Sequence, residues 1–424
     1  ASTYVLFFYW NSHSLNKLEP QAQVVMVENP ELREKPLAIT QKNIVVTCNY
    51  VARKFGIKKL MLIKDAMKLC DHLVMVRGER LEKFRKASRK IWECVCERLE
   101  GCSYRIERSG LDEIFLDLTQ VSNDRVGEDT DKRFAFATQF VSDLRRAIFT
   151  ECGFECCAGI STSKLGAKIA VNMKKPNAQT TLQDILPMLL PLKLERVYGI
   201  GRKTCQVIRS SLNWTKDEFH VRDCLTISKS RLEQILSSPK LASYVFLAVR
   251  GVDLTPVNHE TSWEFKTLSV GDTMRRLETL ESVSLYLKSM AEDLLKRIDD
   301  ESDGRVPTLL TLKVRFIATD SSISRTCSSK MPIEISQSLR VDASERANLL
   351  YKLAFQMFRK HFPAPFKITL LCLTASKFLS QKDGQHVRQR SILECMSTTP
   401  PKRRDSTKDE ESYLSQISED VLTE

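Results

Sequence analysis

The pattern of apolar and polar residues predicts alternating strands and helices along most of the chain. Continuous apolar or β-branched runs are typical of buried strands, and apolar residues that recur on one face at a helical period indicate amphipathic helices. A tight polar turn between two alternating runs indicates a hairpin. The predicted elements of the first half are strands at 4–10 and 44–50, a helix at 80–99, a hairpin at 104–119 and a helix at 161–174.

In the second half of the chain, the pattern predicts short helices up to about residue 250 and then a small α+β domain. Two prolines within 186–192 suggest a boundary, and the mixed, polar stretch 251–276 suggests a linker. The elements predicted for the small domain are a helix at 279–297, a strand at 308–317, a helix at 343–360 and a strand at 366–374. From residue 378 the sequence turns polar, which predicts a disordered tail.

Composition narrows the class of protein. The 424 residues suggest two to four domains, and 42% hydrophobic residues are enough to bury real cores. The longest apolar run, Tyr4 to Trp10, is too short for a membrane span and lacks the flanks of a signal peptide, which excludes the membrane and secreted classes. Thirteen irregularly spaced cysteines without a Cys-x-x-Cys pair indicate a reducing compartment. The net charge of +12 fits either a nucleic-acid partner or a merely basic surface.

Two adjacent carboxylates, Asp112 and Glu113, follow the turn of the predicted hairpin. Like charges at this distance repel each other unless a cation offsets them. Mg²⁺ is bound by one or two carboxylates together with substrate phosphates, and two such ions promote phosphoryl transfer. The alternative is that both are solvated hairpin residues.

A second group of residues has the chemistry of a triphosphate site. Thr47, Tyr50 and Arg53 lie where a predicted strand runs into a helix, and their hydroxyls and guanidinium group are suited to phosphate oxygens. Lys175 ends the helix at 161–174 and adds a cation. The alternatives are a capped helix with a surface arginine, and a lysine that complements the helix dipole.

The segment Gly199-Ile200-Gly201-Arg202-Lys203 joins two helical stretches. Glycines let backbone amides approach a DNA phosphate, and the two cations strengthen the contact. The segment is not a Walker A loop, because Arg202 separates the second glycine from Lys203. It predicts DNA contact without sequence specificity, with a plain helical hairpin as the alternative.

In this order, the segments resemble the Y family of translesion DNA polymerases. The run from Gln41 to Met61 is the most specific part, and Ser324-Arg-Thr-Cys followed by Met331-Pro-Ile fits more weakly. The resembling stretches are Ala22-Gln-Val, Asn29-Pro-Glu-Leu, Gln41-Lys-Asn-Ile-Val-Val-Thr-Cys-Asn-Tyr-Val-Ala-Arg-Lys, Lys58-Lys-Leu-Met, Glu107-Arg-Ser-Gly-Leu-Asp-Glu, Ala158-Gly-Ile-Ser, Lys175-Pro-Asn and Gly199-Ile-Gly.

The resemblance implies an α+β multidomain fold in the shape of a right hand. The implied layout is an atypical N-terminal segment in place of the first palm strand at 1–21, fingers at 22–80, palm at 81–186, a helix-hairpin-helix thumb at 187–250, the linker at 251–276, a little finger at 277–377 and the disordered tail at 378–424. The implied activity is template-directed nucleotidyl transfer with two Mg²⁺ (or Mn²⁺) ions.

The resemblance also implies roles for individual residues. Asp112 and Glu113 become the catalytic acids at the metal site, with Asp112 as a metal ligand. Thr47, Tyr50, Arg53 and Lys175 would hold the incoming deoxynucleoside triphosphate. The residues implied at the templating base are Gln41, Lys42 and Ile44.

One part of the family pattern is missing. The family places its first metal-ligand Asp six residues before the Ala-Gln pair that matches Ala22-Gln23, where this chain has Asn16, and residues 1–21 contain no Asp. Residues 1–21 are therefore either a mispredicted or alternatively spliced leader, or the chain is a catalytically impaired DNA-binding scaffold. A helix-hairpin-helix repair nuclease is a third hypothesis, which leaves the Gln41 to Met61 run unexplained.

The expected partners are primer–template DNA and deoxynucleoside triphosphates, without a membrane. Residues 412–424 resemble the opening of a ubiquitin-binding motif of these polymerases, so ubiquitin and a sliding clamp are candidate partners of the tail. A chance amphipathic turn is the alternative. The resemblance implies a nuclear protein, although Pro401-Lys-Arg-Arg is too short a basic cluster to establish import.

Overall fold

The computed structural model describes residues 5–9, 20–78, 81–175, 177–260, 262–317, 322–336 and 342–379. The chain divides after Trp263 into two compact units, each a mixture of helices and strands. The disordered tail predicted from residue 378 begins too early, because Phe378 and Leu379 end a strand. Residues 380–424, with the candidate ubiquitin motif, lie outside the described residues.

A five-stranded sheet forms the centre of the first unit, in the order β5-β6-β1-β7-β8. The apolar run predicted as a strand at 4–10 is confirmed as the middle strand, which pairs antiparallel with both neighbours. Its last residue, Tyr9, lies opposite Glu113 on one side and Cys157 on the other. The five strands are β1 (Val5–Tyr9), β5 (Arg105–Arg108), β6 (Glu113–Asp117), β7 (Cys157–Ser161) and β8 (Gln179–Thr181).

A separate three-stranded sheet is built from residues that precede β5 in the chain. Its strands lie in the order β3-β2-β4. β2 and β3 form an antiparallel hairpin, and β4 joins β2 in parallel. The apolar run predicted at 44–50 supplies β3 and then leads directly into a helix, as expected. The three strands are β2 (Leu37–Gln41), β3 (Ile44–Cys48) and β4 (Val74–Arg77).

The longest helix of the first unit, α6 (Thr130–Cys152), begins and ends where the sequence supplies capping residues. Asp129 caps α6 by accepting a hydrogen bond from the amide of Lys132, and Gly153 ends that helix in a left-handed conformation. The helices are α1 (Pro20–Glu28), α2 (Tyr50–Lys54), α3 (Ile63–Leu69), α4 (Glu82–Glu97), α5 (Thr119–Val126), α6 (Thr130–Cys152), α7 (Lys164–Met173), α8 (Leu186–Leu189), α9 (Arg202–Ser211), α10 (Lys229–Leu236) and α11 (Pro239–Ala248).

Helices α8 to α11 enclose a hydrophobic core of their own. Ile200, Ile208 and Val245 are among its buried residues, and Leu165 at the start of α7 joins it. The short α8, where two prolines suggest a boundary, packs into this core through Leu189.

The prediction of a linker at 251–276 is wrong at both ends. Asp253 accepts a hydrogen bond from the amide of Leu165, and the amide of Glu260 donates to the carbonyl of Ile106, so the segment is fixed to the first unit. From Thr267 onward the chain is a strand of the second unit. The polar composition has a structural reason, because most positions of that strand are exposed or only half-buried.

The second unit consists of one antiparallel sheet covered by helices. The strands lie in the order β11-β10-β12-β9, and α12 and α14 pack on each other and contribute Leu294, Leu295 and Phe358 to a common core. The elements are β9 (Thr267–Leu277), α12 (Leu280–Glu301), β10 (Val306–Ile317), β11 (Ser322–Lys330), α13 (Ile333–Ser336), α14 (Ala343–His361) and β12 (Ile368–Leu379). None of the helices in the described residues combines the length and the apolar character that a membrane crossing requires.

Candidate active site

The β5–β6 hairpin presents the two predicted acids at the edge of the five-stranded sheet. The amide of Ser109 donates to the carbonyl of Glu113 at 2.9 Å, which closes the turn, and Asp112 is the half-buried residue just before β6. The hydroxyl of Ser88 on α4 donates to the carbonyl of Leu111. The helix and the strand pairing therefore fix the backbone on either side of Asp112.

Helix α7 lies against this hairpin and supplies cations to it. The Nζ atom of Lys168 is 2.7 Å from Oε2 of Glu113, and the Nζ atom of Lys164 is 2.6 Å from Oε2 of Glu107. The two lysines are four residues apart and so lie on the same face of the helix. These ion pairs offset part of the repulsion between the carboxylates.

Lys175 follows the end of α7 and lies near the same acids. Burial lowers the pKa of its ammonium group to about 8, while the negative charges of Glu113 and Asp112 act in the opposite direction. The structure therefore brings Asp112, Glu113 and Lys175 together, as the sequence suggested.

The other predicted nucleotide-binding residues lie where β3 runs into α2. Tyr50 and Arg53 are half-buried, with the guanidinium carbon 5.9 Å from the centre of the tyrosine ring, whereas Thr47 is fully buried in β3. The sequence suggested that free amides at the start of α2 would help to bind phosphate. That contribution is reduced, because the side chain of Asn49 accepts a hydrogen bond from the amide of Ala52 and α2 has only five residues.

The residues predicted at the templating base occupy the β2–β3 hairpin. Gln41 and Ile44 pair across it, and Lys42 lies in its turn with a positive φ of 52°. The side-chain amide of Gln41 donates to the carbonyl of Gly78 at 2.7 Å, which ties the hairpin to the end of β4.

The glycine segment predicted to contact DNA lies at the start of α9. Gly199 has a positive φ of 79°, Gly201 is the N-cap of the helix, and the side chains of Arg202 and Lys203 are exposed. Ile200 differs from its neighbours, because its side chain is 2% exposed and belongs to the helical core. A DNA contact at Ile200 is thus restricted to its backbone.

The donor set at the hairpin fits a magnesium ion that is shared with a nucleotide. Asp112 and Glu113 supply carboxylate oxygens, the ligands that Mg²⁺ prefers, and phosphates complete such sites. Within the described ranges, no group of three or more His, Cys, Asp and Glu side chains is arranged to hold a metal ion. Strand β1 contains no acid, so it adds no carboxylate ligand.

Two residues of this region escape prediction from the sequence. Lys168 pairs with Glu113, and the helical spacing of Lys164 and Lys168 is the signal that points to a shared face. Tyr198 packs its ring on Phe115 of β6, and only its position beside Gly199 marks it in the sequence.

Comparison with known proteins identifies the family of the chain. The impB/mucB/samB family model matches residues 21–172, and the model of the C-terminal domain of that family matches residues 265–392. The second match begins next to the boundary between the two units.

Named relatives of this chain are DNA polymerases. The chain is 30% identical to DNA polymerase iota of Homo sapiens over 95% of its own length and 57% of that protein, and 30% identical to DNA polymerase iota of Mus musculus over 85% and 53%. It is 29% identical to DNA polymerase IV of Shewanella sp. (strain ANA-3) over 70% of its length and 78% of that protein. The chain spans about half the length of the iota proteins it matches. Both family models and these relatives agree that the chain belongs to the impB/mucB/samB family, the Y family of DNA polymerases, and is similar to polymerase iota.

Proposed function

We propose that the chain is a template-directed DNA polymerase that carries out translesion synthesis by two-metal nucleotidyl transfer. Its substrates are primer–template DNA and deoxynucleoside triphosphates. In this proposal residues 22–80 form the fingers, 81–186 together with β1 form the palm, 187–250 form the thumb, and the unit that begins at Glu264 contains the little finger.

One observation carries the proposal. The adjacent acids Asp112 and Glu113 lie beside Lys168, within the range matched by the family model, and near Lys175, three residues beyond that range. Phosphoryl transfer needs cations around the phosphates and an aligned nucleophile more than it needs covalent chemistry. Acids that bind a metal ion and lysines that attract a triphosphate supply these requirements in one place.

In this proposal, different residues bind the metal ion, the nucleotide and the DNA. Asp112 and Glu113 would hold Mg²⁺ or Mn²⁺, which activates the attacking hydroxyl and stabilises the leaving oxygen when bound. Lys175, Arg53 and Tyr50 would bind and orient the triphosphate. The template base would lie near Gln41, Lys42 and Ile44, and the backbone of Gly199–Gly201 would contact a DNA phosphate.

The two named polymerase groups among the relatives support a polymerase over the inactive scaffold. The absence of an Asp from residues 1–21 makes activity the property to test. A nuclear location and binding of a clamp or ubiquitin stay predictions of the resemblance.

Primer extension tests the proposal. The chain is incubated with a labelled primer on undamaged and damaged templates, with single or mixed deoxynucleoside triphosphates and Mg²⁺ or Mn²⁺. We expect addition of the templated nucleotide. Asp112→Ala should slow it by about a hundredfold or more, because a metal ion stabilises the transition state by several kcal/mol.

Asp124→Ala is the matched control, because Asp124 is an exposed acid on α5 that hydrogen-bonds the side chain of Gln120. It should leave extension unchanged. Nucleotide-independent binding without extension would favour the scaffold, degradation of the primer would favour the nuclease, and extension that survives Asp112→Ala would reject the metal site.

A further inference from the structure

Tyr198 lies between the acid-bearing hairpin and the glycine loop, which we define as Gly199–Gly201. Its ring packs against Phe115 of β6 with 5.7 Å between the ring centres. Its backbone carbonyl accepts a hydrogen bond of 2.5 Å from the hydroxyl of Tyr244 on α11. A single residue therefore contacts both the five-stranded sheet and the helical core.

Lys168 joins Tyr198 to the predicted metal site. Its Nζ atom is 4.9 Å from the centre of the Tyr198 ring and 2.7 Å from Oε2 of Glu113. An ammonium group this close to an aromatic ring is attracted to the ring face. The cation that neutralises Glu113 thus also fixes the position of Tyr198.

The glycine loop has little freedom on its other side. Gly199 has a φ of 79°, and a Cβ atom at this position would lie 2.7 Å from the ring and hydroxyl of Tyr244. The first residue of the loop, Gly199, is therefore packed against Tyr244 and directly follows Tyr198. The orientation of the loop depends on where Tyr198 is held.

We propose that Tyr198 is a positioning residue that keeps the glycine loop in the conformation that contacts DNA, and that it does so through Lys168. The inference rests on the proposed function, because the DNA contact of the loop is part of that function. It adds a physical connection between Lys168, which pairs with Glu113, and the contact of the glycine loop with DNA.

A double-mutant cycle tests the connection. Primer–template affinity is measured by fluorescence anisotropy, without nucleotide, for the wild type, Tyr198→Leu, Lys168→Met and the double variant. Each single change should weaken binding by about threefold or more, because each removes a cation–π contact. The affinity of the double variant for primer–template should be no lower than that of the single variant with the lower affinity, because both changes remove the same interaction.

Tyr104→Leu is the matched control. Tyr104 is a half-buried tyrosine of the same unit whose ring packs on His259 with 5.8 Å between the ring centres. Its loss should lower the melting temperature without changing DNA affinity. Tyr198→Phe keeps the ring beside Lys168 and should retain affinity within about twofold. Tyr198→Met replaces Tyr198→Leu in the cycle if circular dichroism shows that the latter is unfolded.

Additive effects of the two substitutions would overturn the inference, because Lys168 would then act on DNA independently of Tyr198. Unchanged affinity in folded Tyr198→Leu would also overturn it. Primer extension separates this outcome from failure of the proposed function. A wild type that binds primer–template but adds no nucleotide rejects the polymerase and leaves the affinity cycle to decide the inference, whereas a wild type that does not bind DNA rejects both.

Discussion

Lys175 shows how burial adjusts the charge of a single side chain. Its ammonium group is partly removed from water, and this desolvation favours the neutral form, whereas the negative charges of Glu113 and Asp112 favour the charged form. Burial has the larger effect, and the pKa falls to about 8. The residue is therefore mostly charged at neutral pH and loses its proton within the alkaline range.

This shift predicts a pH dependence of nucleotide binding. If charged Lys175 binds the triphosphate, the KM for the incoming nucleotide should rise as the pH increases through about 8, because the cation is lost above its pKa. In Lys175→Arg the rise should be absent up to about pH 9, because a guanidinium group stays protonated there. Steady-state extension at several pH values measures both. A rise of equal size in the two proteins would assign the effect to another group.

At the scale of elements, the close packing of α7 on β7 places Lys164 and Lys168 beside the hairpin. Gly159 makes this approach possible, because a Cβ atom there would overlap the backbone of Ala167 and Val171 on the helix. Gly201 is different, since nothing lies within 4 Å of the position its Cβ would take and its φ is −90°. Gly159 is therefore required for the packing of the helix on the sheet, whereas the position of Gly201 has room for a side chain.

Gly159→Ala should lower the free energy of unfolding of the first unit by about 1–3 kcal/mol or more, because added volume in a close-packed interface forces the helix away from the sheet. Gly201→Ala should leave stability nearly unchanged. Urea denaturation followed by circular dichroism compares the two variants. Equal stability of Gly159→Ala and wild type would contradict this close contact.

Elements with a strong apolar pattern were predictable from the sequence, and those without one were not. The run that became β1 and the hairpin around Ser109-Gly110 are confirmed. In the hairpin, Ile106, Ile114 and Leu116 are buried, as their apolar alternation predicts. Strand β11 was missed because nearly all its side chains are exposed, so no alternation marks it. Helix α6 was missed as well, although Asp129 and Gly153 are signals for its ends.

Site residues that depend on tertiary contacts were also beyond prediction. Asp112, Glu113 and Lys175 were singled out by local sequence, and the structure brings them together. The pairing of Lys168 with Glu113 and the contact of Tyr198 with Phe115 join residues that are distant in sequence. No local pattern encodes such pairs, because they exist only after the helix has packed on the sheet.

At the scale of the whole molecule, the chain comprises two units with separate cores. In the first unit Phe84 and Ile91 are among the buried residues, and in the second Leu312 and Phe358 are. Each unit has its own sheet and covering helices, so each has the means to unfold cooperatively.

Calorimetry should therefore detect two thermal transitions. Leu312→Ala should destabilise the second unit by about 2–5 kcal/mol and shift one transition, because it leaves a cavity in that core. Phe84→Ala should shift the other. A single transition that both substitutions move equally would mean that the units unfold together.

The most direct test of the central claim is a crystal structure with primer–template, an incoming nucleotide and Mn²⁺, with the ion located by its anomalous scattering. We expect manganese to be bound by Asp112 beside Glu113, and the triphosphate to contact Lys175 and Arg53. Manganese bound away from Asp112, or a triphosphate bound out of reach of both Lys175 and Arg53, would contradict the proposed active site.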